Sequence, residues 1–81
     1  MRIKVFVRPR QEILDPQGRA VEAALANLGF AGVSDVHLGR YIVLALDAPS
    51  KAAAEESVRK MCEQLLANPT IEDYCFEVEQ G

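Results

Sequence analysis

Cys62, Cys75 and His37 are the only thiols and the only imidazole in the sequence, so thiol chemistry or an imidazole base would have to be built from them. A cysteine nucleophile needs a base beside it and a third group to orient that base. Cys62 falls on the apolar stripe of a helical segment, where free cysteine behaves as a small hydrophobe. Cys75 falls in a strand-like segment with no basic neighbour in sequence to favour the thiolate. Both read as structural. His37 shares a strand face with Asp35, so the two could pair; the alternative is a surface or interface histidine. One histidine and two separated cysteines do not make a metal site. Glu72 and Asp73 are adjacent on a strand, point to opposite faces and make a poor acid–base couple. Arg8, Arg10, Arg19 and Arg40 could hold an anion. The glycine-containing run Gly29-Phe30-Ala31-Gly32, however, follows a helix and leads to a strand, the reverse of a phosphate cradle. These residue types supply no active site and point to a small α+β domain that works within an assembly.

The elements that would position these residues are organised around residues 13–30. Asp15 is a good N-cap, placed at the positive end of the helix dipole. Pro16 suits the first helical position, where a missing N–H costs nothing. Val21, Ala24, Leu25 and Leu28 recur at helical spacing as one apolar stripe. Gly29 suits a left-handed helix end, with Phe30 folding back toward Leu25. Gly18 does not fit, since glycine inside a helix costs about 1 kcal/mol relative to alanine. Either the first turn is forgiving, or another backbone comes close there. If that backbone is another chain, Gly18→Ala should keep or improve stability and weaken assembly.

Before this helix, residues 2–9 alternate as a strand, with Ile3, Val5 and Val7 inward and Arg2, Lys4, Phe6 and Arg8 outward; Pro9 ends it. After it, residues 33–47 are strand-like but too long for an ordinary strand. Gly39-Arg40 divides them, as a tight turn or as a bulge in one long bent strand. In the second half Ile42, Leu44 and Leu46 lie on one face and Tyr41, Val43 and Ala45 on the other. A strand apolar on both faces needs cover on both. Ser50 caps a second helix running to about Ala67, with Ala54, Val58, Met61, Cys62 and Leu65 as its buried stripe. Pro69 stops it and extends Asn68. Residues 71–78 form the last strand, with Tyr74, Phe76 and Val78 on one face, and the acidic chain end is expected to fray. The expected fold is a two-layer α+β domain with one mainly antiparallel sheet. Its order is β-α-β-β-α-β, or β-α-long bent β-α-β, with both helices on one face. A second subunit covers the other face, at Phe6, Tyr41, Val43 and Ala45.

At 81 residues the chain is expected to be one domain, residues 1–81, and a single core of that size is marginal. Such domains usually need a disulfide, a metal or a partner. The net charge is −3 and the basic residues are scattered without interleaved aromatics, so nucleic acid is not the expected partner. No apolar run is long enough to cross a bilayer and the N-terminus carries no secretory pattern, so a cytoplasmic protein without a membrane partner is expected.

Four stretches then carry a resemblance. They are Leu14-Asp15-Pro16-Gln17-Gly18 with Ala20-Val21; Leu28-Gly29-Phe30; Val36-His37-Leu38-Gly39-Arg40-Tyr41; and Met61-Cys62-Glu63-Gln64-Leu65-Leu66-Ala67-Asn68-Pro69-Thr70-Ile71-Glu72-Asp73-Tyr74. In this order they resemble the PurS family, the small subunit of bacterial and archaeal phosphoribosylformylglycinamidine synthase. The resemblance covers essentially the whole chain. It implies a non-catalytic subunit in de novo purine biosynthesis, a homodimer or a dimer of dimers. Such a subunit bridges a glutaminase subunit and a large synthetase subunit and helps keep ammonia on a protected path. It implies no cofactor in this chain, with ATP and magnesium used by the large subunit. Asp15, Pro16, Gln17, Gly18, Gly39, Arg40, Asn68, Pro69, Glu72 and Asp73 are the candidates for the partner interface; each can also be read as a cap, turn or stop. Two alternatives stand beside it. One is an ACT-like small-molecule-binding regulatory domain, which shares the strand–helix–strand–strand–helix–strand order. The other, an acylphosphatase-like enzyme, ranks last because Arg8-Pro9-Arg10 lacks a glycine-rich cradle.

Overall fold

The computed structural model describes residues 1–79. Period-two alternation produces three strands: β1 (Arg2–Pro9), β2 (Arg40–Ala45) and β3 (Glu72–Glu79). They form one antiparallel sheet in the order β2-β1-β3. The register places Val5 opposite Ile42 and Phe76, and Phe6 opposite Tyr41 and Cys75. Ile3, Val5 and Val7 therefore share a face with Ile42, Leu44, Tyr74, Phe76 and Val78, and this is the core side. Glu77 and Glu79, in the chain end expected to fray, stand in the ladder opposite Lys4 and Arg2. Residues 80 and 81 lie outside the described residues.

Helix α2 (Lys51–Met61) covers this face. Ser50 caps it by accepting from the Ala53 N–H, as its sequence position requires. Ala54, Val58 and Cys62 are fully buried against the sheet. The helix does not run on as a regular α-helix to Ala67. Residues Cys62–Leu66 form a π-helical turn, closed by the Ala67 N–H on the Cys62 carbonyl at 2.9 Å. A π turn takes up one extra residue and shifts the phase of every side chain beyond it. Leu65, expected in the buried stripe, is consequently 83% exposed, and Ala67 is buried in its place. The Cys62 thiol, buried in this apolar setting, titrates above its usual range, which suits a structural cysteine.

Helix α1 (Pro16–Asn27) has the ends its sequence specifies. Asp15 caps it, Pro16 opens it, and Gly29 adopts φ +100. Phe30 N–H donates to Leu25 O and Gly29 N–H to Ala26 O, the paired bonds of a Schellman end. Its placement differs from expectation. α1 does not pack against the sheet beside α2; only Gly18 of the helix is buried, and Leu28 is 74% exposed. The expectation of two helices on one face thus holds for α2 alone.

Residues 33–47 also differ from expectation. They give neither two paired strands nor one long bent strand, but irregular backbone followed by β2. Asp35 takes a left-handed φ of +57, which breaks any ladder at that point. At Gly39 the backbone runs so close to β1 that an added Cβ would overlap the Val7 carbonyl oxygen. The second half behaves as its pattern requires. Ile42, Leu44 and Leu46 turn to the core side, and Tyr41, Val43 and Ala45 stay exposed on the other.

Candidate functional site

The candidate residues gather where β1 ends and β2 and β3 begin, because the register sets Val7 opposite Arg40, Arg8 opposite Asp73 and Pro9 opposite Glu72. Arg40 reaches from β2 across this end. Its Nη2 donates to the Leu66 carbonyl at 2.7 Å and to Glu72 Oε1 at 3.1 Å. The same Glu72 oxygen accepts from the Asn68 N–H at 2.7 Å, and the Glu72 N–H returns to the Asn68 carbonyl. Asn68 Oδ1 accepts from Thr70 N–H, closing an Asx turn around Pro69. Arg10 clasps the corner from the β1 side. It donates from Nη2 to the Pro69 carbonyl at 2.6 Å and from its backbone N–H to Ile71 O, with its Nε 3.8 Å from Asp73 Oδ1. Arg10 figured in the sequence only as a possible anion binder. The signal that it belongs here is positional: it follows directly on β1, opposite the Asn68-Pro69 stop.

The second group lies at the start of α1. Asp15 holds two segments at once, with Oδ1 accepting from Gly18 N–H at 3.0 Å and Oδ2 from Leu38 N–H at 2.9 Å. Gly18 explains itself here. A Cβ at this position would overlap the Val36 carbonyl oxygen. A backbone does come close, as its sequence position suggested, and it is the chain's own. His37 stands between two carboxylates, with Nε2 3.2 Å from Asp35 Oδ1 and Nδ1 3.8 Å from Asp15 Oδ2. Gln11 Nε2 holds the other Asp35 oxygen at 2.7 Å. The Asp35–His37 pairing that a shared face allowed is therefore present, but no cysteine joins it. Cys62 is buried beneath α2 and Cys75 lies on the open sheet face. Pro16 and Gln17 are exposed beside this group.

Chemically, most donors and acceptors of both groups fix the chain, while Arg10 Nε and His37 Nδ1 are buried without a hydrogen-bond partner. The Leu38 and Gly18 N–H groups hold Asp15 below the usual carboxylate range, and the Asn68 N–H, aided by Arg40, does the same for Glu72. A carboxylate with a depressed folded pKa stabilises the fold at pH values above its unfolded pKa. That contribution is lost as pH falls through the folded value. Unfolded Asp and Glu titrate at about 3.9 and 4.3. Stability to urea is thus expected to stay level from neutrality to about pH 5 and to fall below about pH 4. The Asp15→Asn variant should lose part of that slope. Urea midpoints of both proteins across pH 3–7 check this; equal slopes would deny Asp15 its share.

The open sheet face is the third cluster. Phe6 stacks on Tyr41 with ring centroids 5.0 Å apart and an interplanar angle of 25°. Val43 and Ala45 continue the apolar strip along β2, opposite Lys4 and Arg2. All four residues expected at a self-association surface lie on this one face. Among the described residues no group of three or more His, Cys, Asp or Glu side chains is placed to hold a metal ion. No helix among them is long and apolar enough to cross a membrane.

A family profile for PurS, described as phosphoribosylformylglycinamidine (FGAM) synthase, matches residues 2–80. The chain belongs to the PurS family. The PurS subunit of phosphoribosylformylglycinamidine synthase from Synechocystis sp. is 49% identical over 75 residues, covering 93% of this chain and 75% of that protein. The subunit from Bacillus subtilis is 43% identical over 79 residues, covering 98% and 93%. Among solved structures, B. subtilis PurS superposes with a TM-score of 0.87 over 98% of both chains. A PurS chain in the structure of PurLQS from Thermotoga maritima gives 0.85 at 34% identity, covering 94% of this chain and 93% of that one. The ACT-like alternative is not favoured: its order needs four strands, and the described residues form three.

Proposed function

We propose that this chain is the non-catalytic small subunit of phosphoribosylformylglycinamidine synthase, in de novo purine biosynthesis. The observation that carries this is the PurS profile match over nearly the whole chain, at 49% identity to a PurS subunit. A T. maritima relative is part of a PurLQS structure. By the same relation this chain joins a large synthetase subunit and a glutaminase subunit. The enzyme converts formylglycinamide ribonucleotide, glutamine and ATP into the formylglycinamidine ribonucleotide. The glutaminase releases ammonia, and ATP and magnesium belong to the large subunit. This chain acts in the cytoplasm as a single domain. It self-associates through the face bearing Phe6, Tyr41, Val43 and Ala45, bridges the other two subunits and helps shield the ammonia path.

The end of the sheet fixed by Asp15, Gly18, Arg40, Asn68 and Glu72 is the part offered to the partners, with Pro16, Gln17, Gly39, Pro69 and Asp73 around it. What supports this is rigidity. Each turn there is hydrogen-bonded to a different element, so a partner meets a surface already in its final shape and little ordering is needed on binding. Reconstitution tests the role. The isolated chain is expected to show no glutaminase, ATPase or ligase activity, and its addition to the two partner subunits should restore glutamine-dependent synthesis. Full synthesis by the partners without it would overturn the proposal.

A further inference from the structure

The two polar clusters are joined by one short run of chain. Residues 36–40 lead from beside the start of α1 into the first residue of β2. The run has no regular structure before Arg40, and none of its residues is buried. It is nevertheless fastened along its length. The Val36 carbonyl lies so close to Gly18 that a Cβ there would overlap it. Leu38 N–H donates to Asp15 Oδ2 at 2.9 Å, and Asp15 Oδ1 caps α1 at Gly18 N–H. Gly39 is pressed against the Val7 carbonyl of β1. Arg40 donates to the Leu66 carbonyl and to Glu72 Oε1, which also accepts from Asn68 N–H. Residues 36, 38, 39 and 40 are each held, so no two successive residues of the run are free. Successive Cα atoms keep a fixed separation whatever the dihedrals. A displacement at one fastening therefore passes to the next. Helix α1 has little else to hold it, since Gly18 is its only buried residue.

We propose that residues 36–40 are a strap that couples the two clusters, so that the α1 start and the Asn68-Pro69 corner order and loosen together. Asp15 and Arg40 hold its two ends. They share no hydrogen-bond partner, because Asp15 takes Gly18 and Leu38 while Arg40 takes Leu66 and Glu72. Fastenings that act independently add in their effect on stability. Two fastenings of one strap do not, because once one end is free the other has less to hold. Coupling of this kind is reciprocal. The proposed function offers both clusters to partners; resting on that reading, the strap carries a contact at one cluster to the shape of the other.

The test uses the full chain by itself at fixed protein concentration. Asp15→Asn leaves a good N-cap on α1 but only one accepting oxygen in place of two, so the Leu38 tie is given up. Arg40→Met removes the donors and keeps the alkyl stem. Asp15→Asn should speed amide exchange at Asn68 and Glu72 about tenfold, and Arg40→Met should do the same at Gly18. Each rise should exceed that at Val5, in the middle of β1, where exchange reports unfolding of the whole chain. In urea, the folding constant of the double variant should be about tenfold larger than the two single effects multiplied together predict. Additivity in urea, or faster exchange confined to the cluster that carries the substitution, would overturn the strap. So would a rise at Val5 equal to that at the remote cluster. Neither readout involves the other subunits. A failed reconstitution would thus overturn the bridging role and leave the strap standing, whereas additive variants of a chain that still restores synthesis would do the reverse.

Discussion

Replacing Gly18 with alanine is expected to lower the stability of the isolated chain by about 2 kcal/mol, the upper end of the range for overpacking (about 3 kcal/mol) less about 1 kcal/mol of helix propensity. The added Cβ would overlap the Val36 carbonyl oxygen and crowd the carbonyl carbon, and it would lie 3.2 Å from Asp15 Oδ2. Both Val36 atoms are backbone, so no side-chain rotation relieves the contact. Nor can the segment simply withdraw. Two residues on, Leu38 N–H is held by Asp15, and Gly39 is pressed against β1 at Val7. Alanine is the better helix former, but only by about 1 kcal/mol. The net effect is therefore opposite to the gain in stability that helix propensity alone suggests. For a chain of this size each 1 kcal/mol moves the midpoint by about 4–8 °C. Thermal melts at fixed protein concentration should thus show a fall of at least about 8 °C. A midpoint equal to or above wild type would mean that the Val36 peptide can turn away.

What the sequence makes legible in this fold is local. β1 has the bounds its alternation and Pro9 set. α1 has the cap, the proline and the glycine end that its residues specify, and α2 starts at Ser50. Each is decided by groups within a few residues of one another. What escapes is decided over longer distances. Nothing near Leu65 announces the π turn that rotates it outward; the far end of that turn is held by contacts distant in sequence, Arg40 on the Leu66 carbonyl and Arg10 on the Pro69 carbonyl. The length of β2 is cut by Asp35 and by the approach of Gly39 to β1, neither visible in a hydrophobic pattern. The direction of α1 is the largest miss. An apolar stripe gives a helix a face to bury but no direction, so amphipathicity alone points to the chain's own sheet, where α1 does not lie. In the candidate site, the caps and turns could be named from residue types. The pairing of Asp15 with Leu38, and of Arg10 with Pro69, spans 23 and 59 positions and follows only from the folded register.

Val43→Glu is expected to abolish self-association through the sheet face at micromolar concentration while leaving the protomer folded. Val43 is half exposed and lies directly opposite Lys4, so a carboxylate there meets water and a neighbouring cation in the single chain. The outcome changes if the Phe6–Tyr41 strip is covered. A two-fold interface uses the same patch twice and buries two such charges near each other. Each loses its water, and Lys4 already serves Glu79 on its other side. Uncompensated burial of a polar group costs at least about 2 kcal/mol, more for a charge. With 1.4 kcal/mol per tenfold in affinity, two buried carboxylates weaken association by about a thousandfold or more. Sedimentation should show the variant at reduced mass where wild type is associated, and circular dichroism should show unchanged secondary structure. If the face also holds the small subunits together within the synthase, glutamine-dependent synthesis should fall with it and recover as protomer concentration is raised. A wild-type chain that is a stable monomer at micromolar concentration would contradict both steps. A Val43→Glu assembly of wild-type mass would assign the strip to a different partner. Loss of mass with retained synthesis would separate the two: the face would then join copies of this chain, and a single copy would suffice to bridge the glutaminase and the synthetase.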